Sequence, residues 1–219
     1  MSEQIEIRAE RPADYRKVEE LTREAFWNTY EPGCNEHYLA HQLRTSKGFI
    51  KELDMVAVAG GKIAGNIMYS HGHIACDDGR KVPVICFGPL SVHPDFQGLG
   101  IGGKLIEHTK RLARELGHRA IVICGDPAYY SRFGFVPAEV YDVAMPGNIY
   151  APALQILDLT EVGLEPLHGI FIDDEAFHID MASAEAFDLD FPPKEKRSGA
   201  GQQERFNFLI SQMRERTGR

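Results

Sequence analysis

Gln97-Gly98-Leu99-Gly100-Ile101-Gly102-Gly103-Lys104 stands between an apolar run, Val82 to Val92, and a helical repeat of Leu105, Ile106, Thr109, Leu112, Ala113 and Leu116. A strand that enters a helix through glycines makes a place for an anion. The first N–H groups of a helix have no partner within it and carry partial positive charge, and glycines let a phosphate approach without side chains in the way. A tight turn needs one or two glycines, whereas this loop has four in the six positions from Gly98 to Gly103, each with an entropic cost. We therefore read it as a phosphate-binding turn.

The elements upstream follow from periodicity and turn residues. Ile5 to Ile7 alternates as a short strand, and Pro12-Ala13-Asp14 opens a helix whose apolar side is Tyr15, Val18, Leu21, Ala25 and Phe26. A second helix spans Glu36 to Leu43, after the break at Glu31-Pro32-Gly33. Met55 to Val58 and Ile63 to Tyr69 flank Gly60-Gly61 as a hairpin. Asp77-Asp78-Gly79 turns His71 to Ile74 into the Val82–Val92 run, which reads as a central strand buried on both faces.

Downstream, Gly117 falls where a left-handed residue would end the helix, and Ala120 to Cys124 is a short buried strand. Tyr129 to Phe135 reads as a brief helix ending at Gly134, with further strands near Val136 to Val143 and Leu154 to Leu159. Phe191 to Gly201 reads as a linker or exposed loop, and Gln202 to Arg216 as a last helix with a stripe of Phe206, Leu209, Ile210 and Met213. That stripe docks on the chain's own domain or meets another subunit, so a homodimer stays open. The reading divides the chain into a main domain, 1–165, and an extension, 166–219.

Composition narrows the classes. With 43% hydrophobic and 26% charged residues over 219 positions, the chain suits a soluble globular protein. A formal charge of -8 disfavours nucleic acid. The acidic start Met1-Ser2-Glu3-Gln4 is no secretory leader and no apolar run approaches the roughly 20 residues of a membrane span, so a cytoplasmic protein is expected. Cys34, Cys76, Cys86 and Cys124 lack pairing spacing, and Cys124 reads as core. His71 and His73 share one side of a strand but lack a third ligand, so no metal is expected; Asp173-Asp174-Glu175 reads as a solvated loop.

Three motifs compete for the glycine loop. Gly98, Gly100 and Gly103 satisfy G-x-G-x-x-G, with Asp126 as a distant match to a ribose-binding acid, but five residues from His93 to Gln97 separate the strand from the first glycine. Gly98 to Lys104 fits the Walker pattern until position 105, which is Leu instead of Ser or Thr. The third fits better. Gln97-Gly98-Leu99-Gly100-Ile101-Gly102, preceded by Leu90-Ser91-Val92 and His93-Pro94, resembles the pyrophosphate signature of the GNAT N-acetyltransferases, and Tyr130 followed by Gly134-Phe135 resembles that family's later motif.

The resemblance covers roughly Ile5 to Leu159 and implies an α/β fold with a mixed, twisted sheet flanked by helices. It implies acetyl-CoA as cosubstrate, held by amides of Gln97, Gly98, Leu99, Gly100, Ile101, Gly102 and Gly103, with Lys104 or Arg132 near a phosphate. Amides around Leu90, Ser91 and Val92 would polarise the acetyl carbonyl, and Tyr130 would protonate the leaving thiolate. The strand Val84 to Leu90 has no carboxylate to serve as base, and Glu31 takes that place, with Glu36 and His37 as the other candidates. The acceptor would be a small-molecule or peptide amine. Two other classes stay open: an NAD- or ATP-dependent enzyme, and a catalytically silent acyl-CoA-binding regulator.

Overall fold

A computed structural model describes residues 5–199 and 201–217, and the chain forms two compact units. The fold is mixed α/β, with a large, mostly antiparallel sheet and flanking helices. The first unit comprises Met1–Tyr69, Gly88–Thr109 and Glu175–Gln203. In it β1 (Ile5–Ala9) pairs antiparallel with β2 (Met55–Ala59), and β2 with the leading part of β3 (Lys62–Cys76). Two helices fill the β1–β2 connection, α1 (Tyr15–Phe26) and α2 (Glu36–Leu43).

Local chemistry sets those helices. The Asp14 carboxylate accepts the Arg11 N–H at 2.9 Å and pairs with Arg8 at 2.6 Å, which fixes the turn into α1. At the end of α2, Arg44 reaches Glu10 at 2.8 Å and Glu19 on α1 at 2.9 Å, with all three side chains buried. A guanidinium held by two carboxylates can sit in only one geometry, so it fixes the rotation of α2 about its axis.

The second unit comprises Ser70–Phe87, Lys110–Asp174 and Glu204–Arg219. Here the leading part of β4 (Lys81–Val92) runs parallel to β5 (Ala120–Cys124), pairing Ile85 with Ile121 and Cys86 with Val122. Beyond β5 the chain forms β6 (Val136–Pro137), β7 (Val143–Ala144), β8 (Ile149–Tyr150) and β9 (Leu154–Asp158); β9 lies antiparallel to β5 and β6. β10 (Gly169–Ile172) pairs with the trailing part of β3 and with β7. α3 (Ile101–Glu115) starts in the first unit and ends in the second, with Gly117 beyond it at φ 81°.

Several expectations need correction. The Val136–Val143 strand is broken into β6 and β7 by a 3-10 turn, because Pro137 cannot extend a ladder and Asp142 takes φ 54°. Of the two readings of 191–201 the exposed loop holds and the free linker does not: Trp27 and Asn28 side chains donate to the Glu195 carbonyl at 3.0 and 2.9 Å, and the Arg197 N–H donates to Asn28 Oδ1 at 2.9 Å; residue 200 lies outside the described residues. Cys124 is exposed at the end of β5 instead of core. Periodicity gave no sign of β10 or of α5 (Met181–Asp188). Among the described residues no helix is long and apolar enough to cross a membrane.

The last helix is shorter than its apolar stripe suggests. α6 (Gln203–Ser211) stops early, and β11 (Arg214–Glu215) pairs with β8. Leu209 is buried, while Phe206, Ile210 and Met213 are about two-fifths exposed, at 42%, 43% and 39%. Arg216 ends the helix early because two carboxylates draw it inward: it reaches Asp77 at 2.5 and 3.1 Å and Asp142 at 2.7 and 2.8 Å. The Asp142 carboxylate also accepts from Tyr150 and contacts His168 Nδ1 at 2.7 Å.

Arg216 holds Asp142 well below the usual carboxylate range. A depressed carboxylate stabilises the fold above its unfolded value, and that stability is lost as pH falls through the folded value. Arg216→Ala should cost about 2 kcal/mol at neutral pH, discounted because Asp77 is half exposed, and should flatten the decline in stability below roughly pH 4. Urea unfolding across pH checks this; an unchanged neutral-pH midpoint would refute it.

Candidate functional site

In the first unit, the site is one continuous stretch from Gly88 to Lys104. The His93 N–H donates to the Ala64 carbonyl of β3 at 3.0 Å. Strand alternation then turns the Leu90 and Val92 N–H groups away from β3. The buried Ser91 hydroxyl donates to Thr22 at 3.1 Å, so that side chain anchors the strand to α1. Gln97 folds back, its Nε2 donating to the Val92 carbonyl at 3.2 Å.

The helix begins at Ile101, inside the glycine cluster and four residues before the first apolar residue of the Leu105 repeat. Its first internal bond runs from the Lys104 N–H to the Gly100 carbonyl at 3.0 Å, which leaves the Ile101, Gly102 and Gly103 N–H groups without intrahelical acceptors. Gly98 and Gly100 sit at φ +78° and +75°, a region that costs other residues about 1–2 kcal/mol. A Cβ on either would meet nothing within 4 Å, so the loop surface is open. Leu99 is 55% exposed and Lys104 is exposed beside it. An anion could therefore rest on these amides without displacing protein atoms.

Tyr130 and Arg132 belong to the second unit. Tyr130 ends α4 (Pro127–Tyr130), whose first turn is capped by the Asp126 carboxylate accepting the Ala128 N–H at 3.0 Å. Asp126 in turn is gripped by Arg205 of α6 at 2.8 and 2.9 Å, which keeps its carboxyl below the usual range. Asp126 is thus a helix cap and not a ribose ligand. The half-buried Tyr130 ring lies 5.8 Å from both Phe87 and Phe135, and it packs onto Gly125, where a Cβ would collide with it. Arg132 is exposed, donates to the Tyr129 carbonyl at 3.1 Å and lies over the Tyr129 ring.

The three candidates for a base differ sharply in setting. Glu31 is exposed and accepts from Asn35 Nδ2 at 3.2 Å. His37 is fully buried, with Nδ1 3.6 Å from Cys34 Sγ and Nε2 3.1 Å from Asp188 Oδ1, and burial pushes it down to about 4. The Asp188 contact is close in distance but off-axis, so Nε2 gains electrostatic support without a full hydrogen bond. Glu36 is half-buried, and burial pushes its carboxyl up to about 7. Sequence reasoning missed Asp188 and Arg205, whose partners are 165 and 79 residues away and leave no local pattern. His71 faces His118, and no metal-binding group of three His, Cys, Asp or Glu occurs among the described residues.

Comparison with known proteins places this geometry. Residues 51–137 match the acetyltransferase (GNAT) domain family. The uncharacterized N-acetyltransferase YhbS of Escherichia coli K12 is 30% identical over 173 residues, covering 78% of this chain and 98% of the relative. The chain belongs to the GNAT N-acetyltransferases. The crystal structure of E. coli YhbS in complex with CoA superposes on this GNAT chain with a TM-score of 0.71 at 27% identity, covering 82% of this chain and 94% of that one. A Brucella melitensis GNAT acetyltransferase in complex with acetyl-CoA gives 0.65 at 30% identity, with 80% and 99% covered.

The acyltransferase therefore builds the Tyr130 turn on a glycine. Gly125→Ala should overpack that contact and cost about 1–3 kcal/mol, with a change in near-ultraviolet circular dichroism from the displaced tyrosine. Wild-type stability and an unchanged spectrum would refute the packing described.

Proposed function

We propose that this GNAT enzyme transfers the acetyl group of acetyl-CoA directly to an amine, without a covalent enzyme intermediate. The observation that carries the reading is the open glycine loop, whose helix-start amides have no internal acceptor. The pyrophosphate would rest on the amides from Gln97 to Gly103, with Lys104 or Arg132 near a phosphate. The Leu90 and Val92 N–H groups would donate to the acetyl oxygen as negative charge grows on it, an interaction strongest in the transition state. Tyr130 would give its proton to the departing thiolate, whose ordinary pKa lies below that of a phenol, so the transfer needs the tyrosine close at hand. Glu31 is the sequence-based candidate for the base.

The CoA and acetyl-CoA complexes of the two relatives support the choice of cosubstrate over NAD or ATP. Acetyl-CoA and CoA at saturation should raise the melting temperature by about 5 °C, while NAD and ATP should leave it unchanged. Gly100→Val should abolish that shift, and Tyr130→Phe should keep it while slowing transfer. Stabilisation by NAD or ATP instead would overturn the reading of the loop.

A further inference from the structure

We propose that Glu36, not Glu31, is the general base of this acetyltransferase, taking the proton that the acceptor amine loses as it attacks the acetyl carbon. The assignment rests on the function proposed above.

The first observation is position on the helix. At 3.6 residues per turn, Glu36 lies on the same face of α2 as Ala40 and Leu43, with Leu39 and His37 to either side. All four neighbours are buried, from 0% to 7% exposed. Glu36 is therefore in the middle of the inner, apolar arc, where a solvated bystander would not sit. Arg44 holds α2 in that rotation through Glu10 and Glu19.

The second observation is what the arc looks onto. Ala40 and Leu43 pack on Met68 of β3 and on Phe177. Phe177 in turn lies over Gly88, 3.2 Å from where a Cβ would stand. Gly88 leads directly into Leu90 and Val92, whose N–H groups point away from β3. The buried face of α2 thus meets Phe177, which in turn lies over Gly88 at the head of the strand proposed to hold the acetyl carbonyl.

The third observation is the state of the carboxylate. Oε2 accepts the Asn35 N–H at 3.0 Å, and the backbone N–H of Glu36 itself also supports the carboxylate. No cation pairs with it among the described residues, and Glu31 adds repulsion to the desolvation that raises its proton affinity. The residue is only half-buried, so a small amine can reach it. A carboxylate kept inside without a counter-ion weakens the fold, and such groups collect where chemistry needs them. The negative charge also suits an acceptor that arrives as a cationic alkylamine.

In the step itself, the amine nitrogen bonds to the acetyl carbon as the carbon–sulfur bond breaks. An acceptor arriving as an alkylammonium first gives one proton to the Glu36 carboxylate, which passes it to solvent. The neutral nitrogen then attacks and its second proton leaves by the same route, while the thiolate takes a proton from Tyr130, which is reprotonated from solvent, and leaves as free CoA. Ionised Glu36 is the active form, so the rate should fall as pH drops through about 7.

The test compares wild type, Glu36→Gln, Glu36→Asp and Glu31→Gln across roughly pH 6–9, scoring CoA release with spermidine and lysine-bearing peptides as acceptors. The expected result is a loss of about 100-fold or more in Glu36→Gln, with the acid limb removed from its pH profile. Its acetyl-CoA thermal shift should persist, its melting temperature at alkaline pH should be no lower than wild type, Glu36→Asp should be intermediate, and Glu31→Gln should keep an acid limb, moved to lower pH by loss of the Glu31 repulsion. Near-normal turnover with an unchanged profile in Glu36→Gln, or a large drop in its stability, would overturn the assignment and leave the proposed function standing. A wild-type protein without an acetyl-CoA shift or turnover would overturn the proposed function, and the assignment with it.

Discussion

A helix cannot satisfy its own first N–H groups, and the chain from Gly88 to Lys104 preserves that deficit. The residue before Ile101 is Gly100, which has no side chain with which to cap. A Ser, Thr, Asp or Asn there would commonly add about 1 kcal/mol of stability, and its oxygen would occupy the place an anion needs. Gln97, the one nearby amide side chain, is directed to the Val92 carbonyl instead. The pairing of β4 obeys the same rule, since its ladder to β5 holds Ile85 and Cys86 while the strand itself runs on to Val92. Stability has been withheld from both places, and both carry backbone donors.

How far this could be read from residues alone depended on whether the signal was local. The α2 boundaries, the hairpin at Gly60-Gly61 and the α3 end at Gly117 followed from periodicity and turn chemistry, because each is fixed by neighbours in sequence. The 3-10 turn between β6 and β7 escaped because Val136 to Val143 has the composition of a strand and only the conformation of Asp142 breaks it. The end of α6 escaped for another reason. Arg216 answers to Asp77 and Asp142, and nothing near position 216 announces them.

The carboxylates illustrate the same limit at the site. Glu31 and Glu36 look equivalent in sequence, and an acid in the first turn of a helix ordinarily complements the helix dipole. Only the buried arc of Leu39, Ala40 and Leu43 separates them, and that arc depends on Arg44 fixing the rotation of α2. Arg205 has a comparable effect in the second unit, where a residue of α6 secures the cap of the Tyr130 turn. The 204–217 segment is accordingly part of that unit's framework.

The Arg216 pairings have a consequence for synthesis. Asp77 and Arg216 are 139 residues apart, so at roughly 5–20 residues per second about 7–28 seconds separate their emergence from the ribosome. Through that interval the β3–β4 turn holds a carboxylate whose cation has not yet been made, and the Asp142 loop does so over the last 74 residues of it. The first unit has the same dependence on late residues, since Arg23 pairs with Asp188, 165 residues on. The first unit cannot complete this pairing before residue 188 is made, nor the second its own before residue 216.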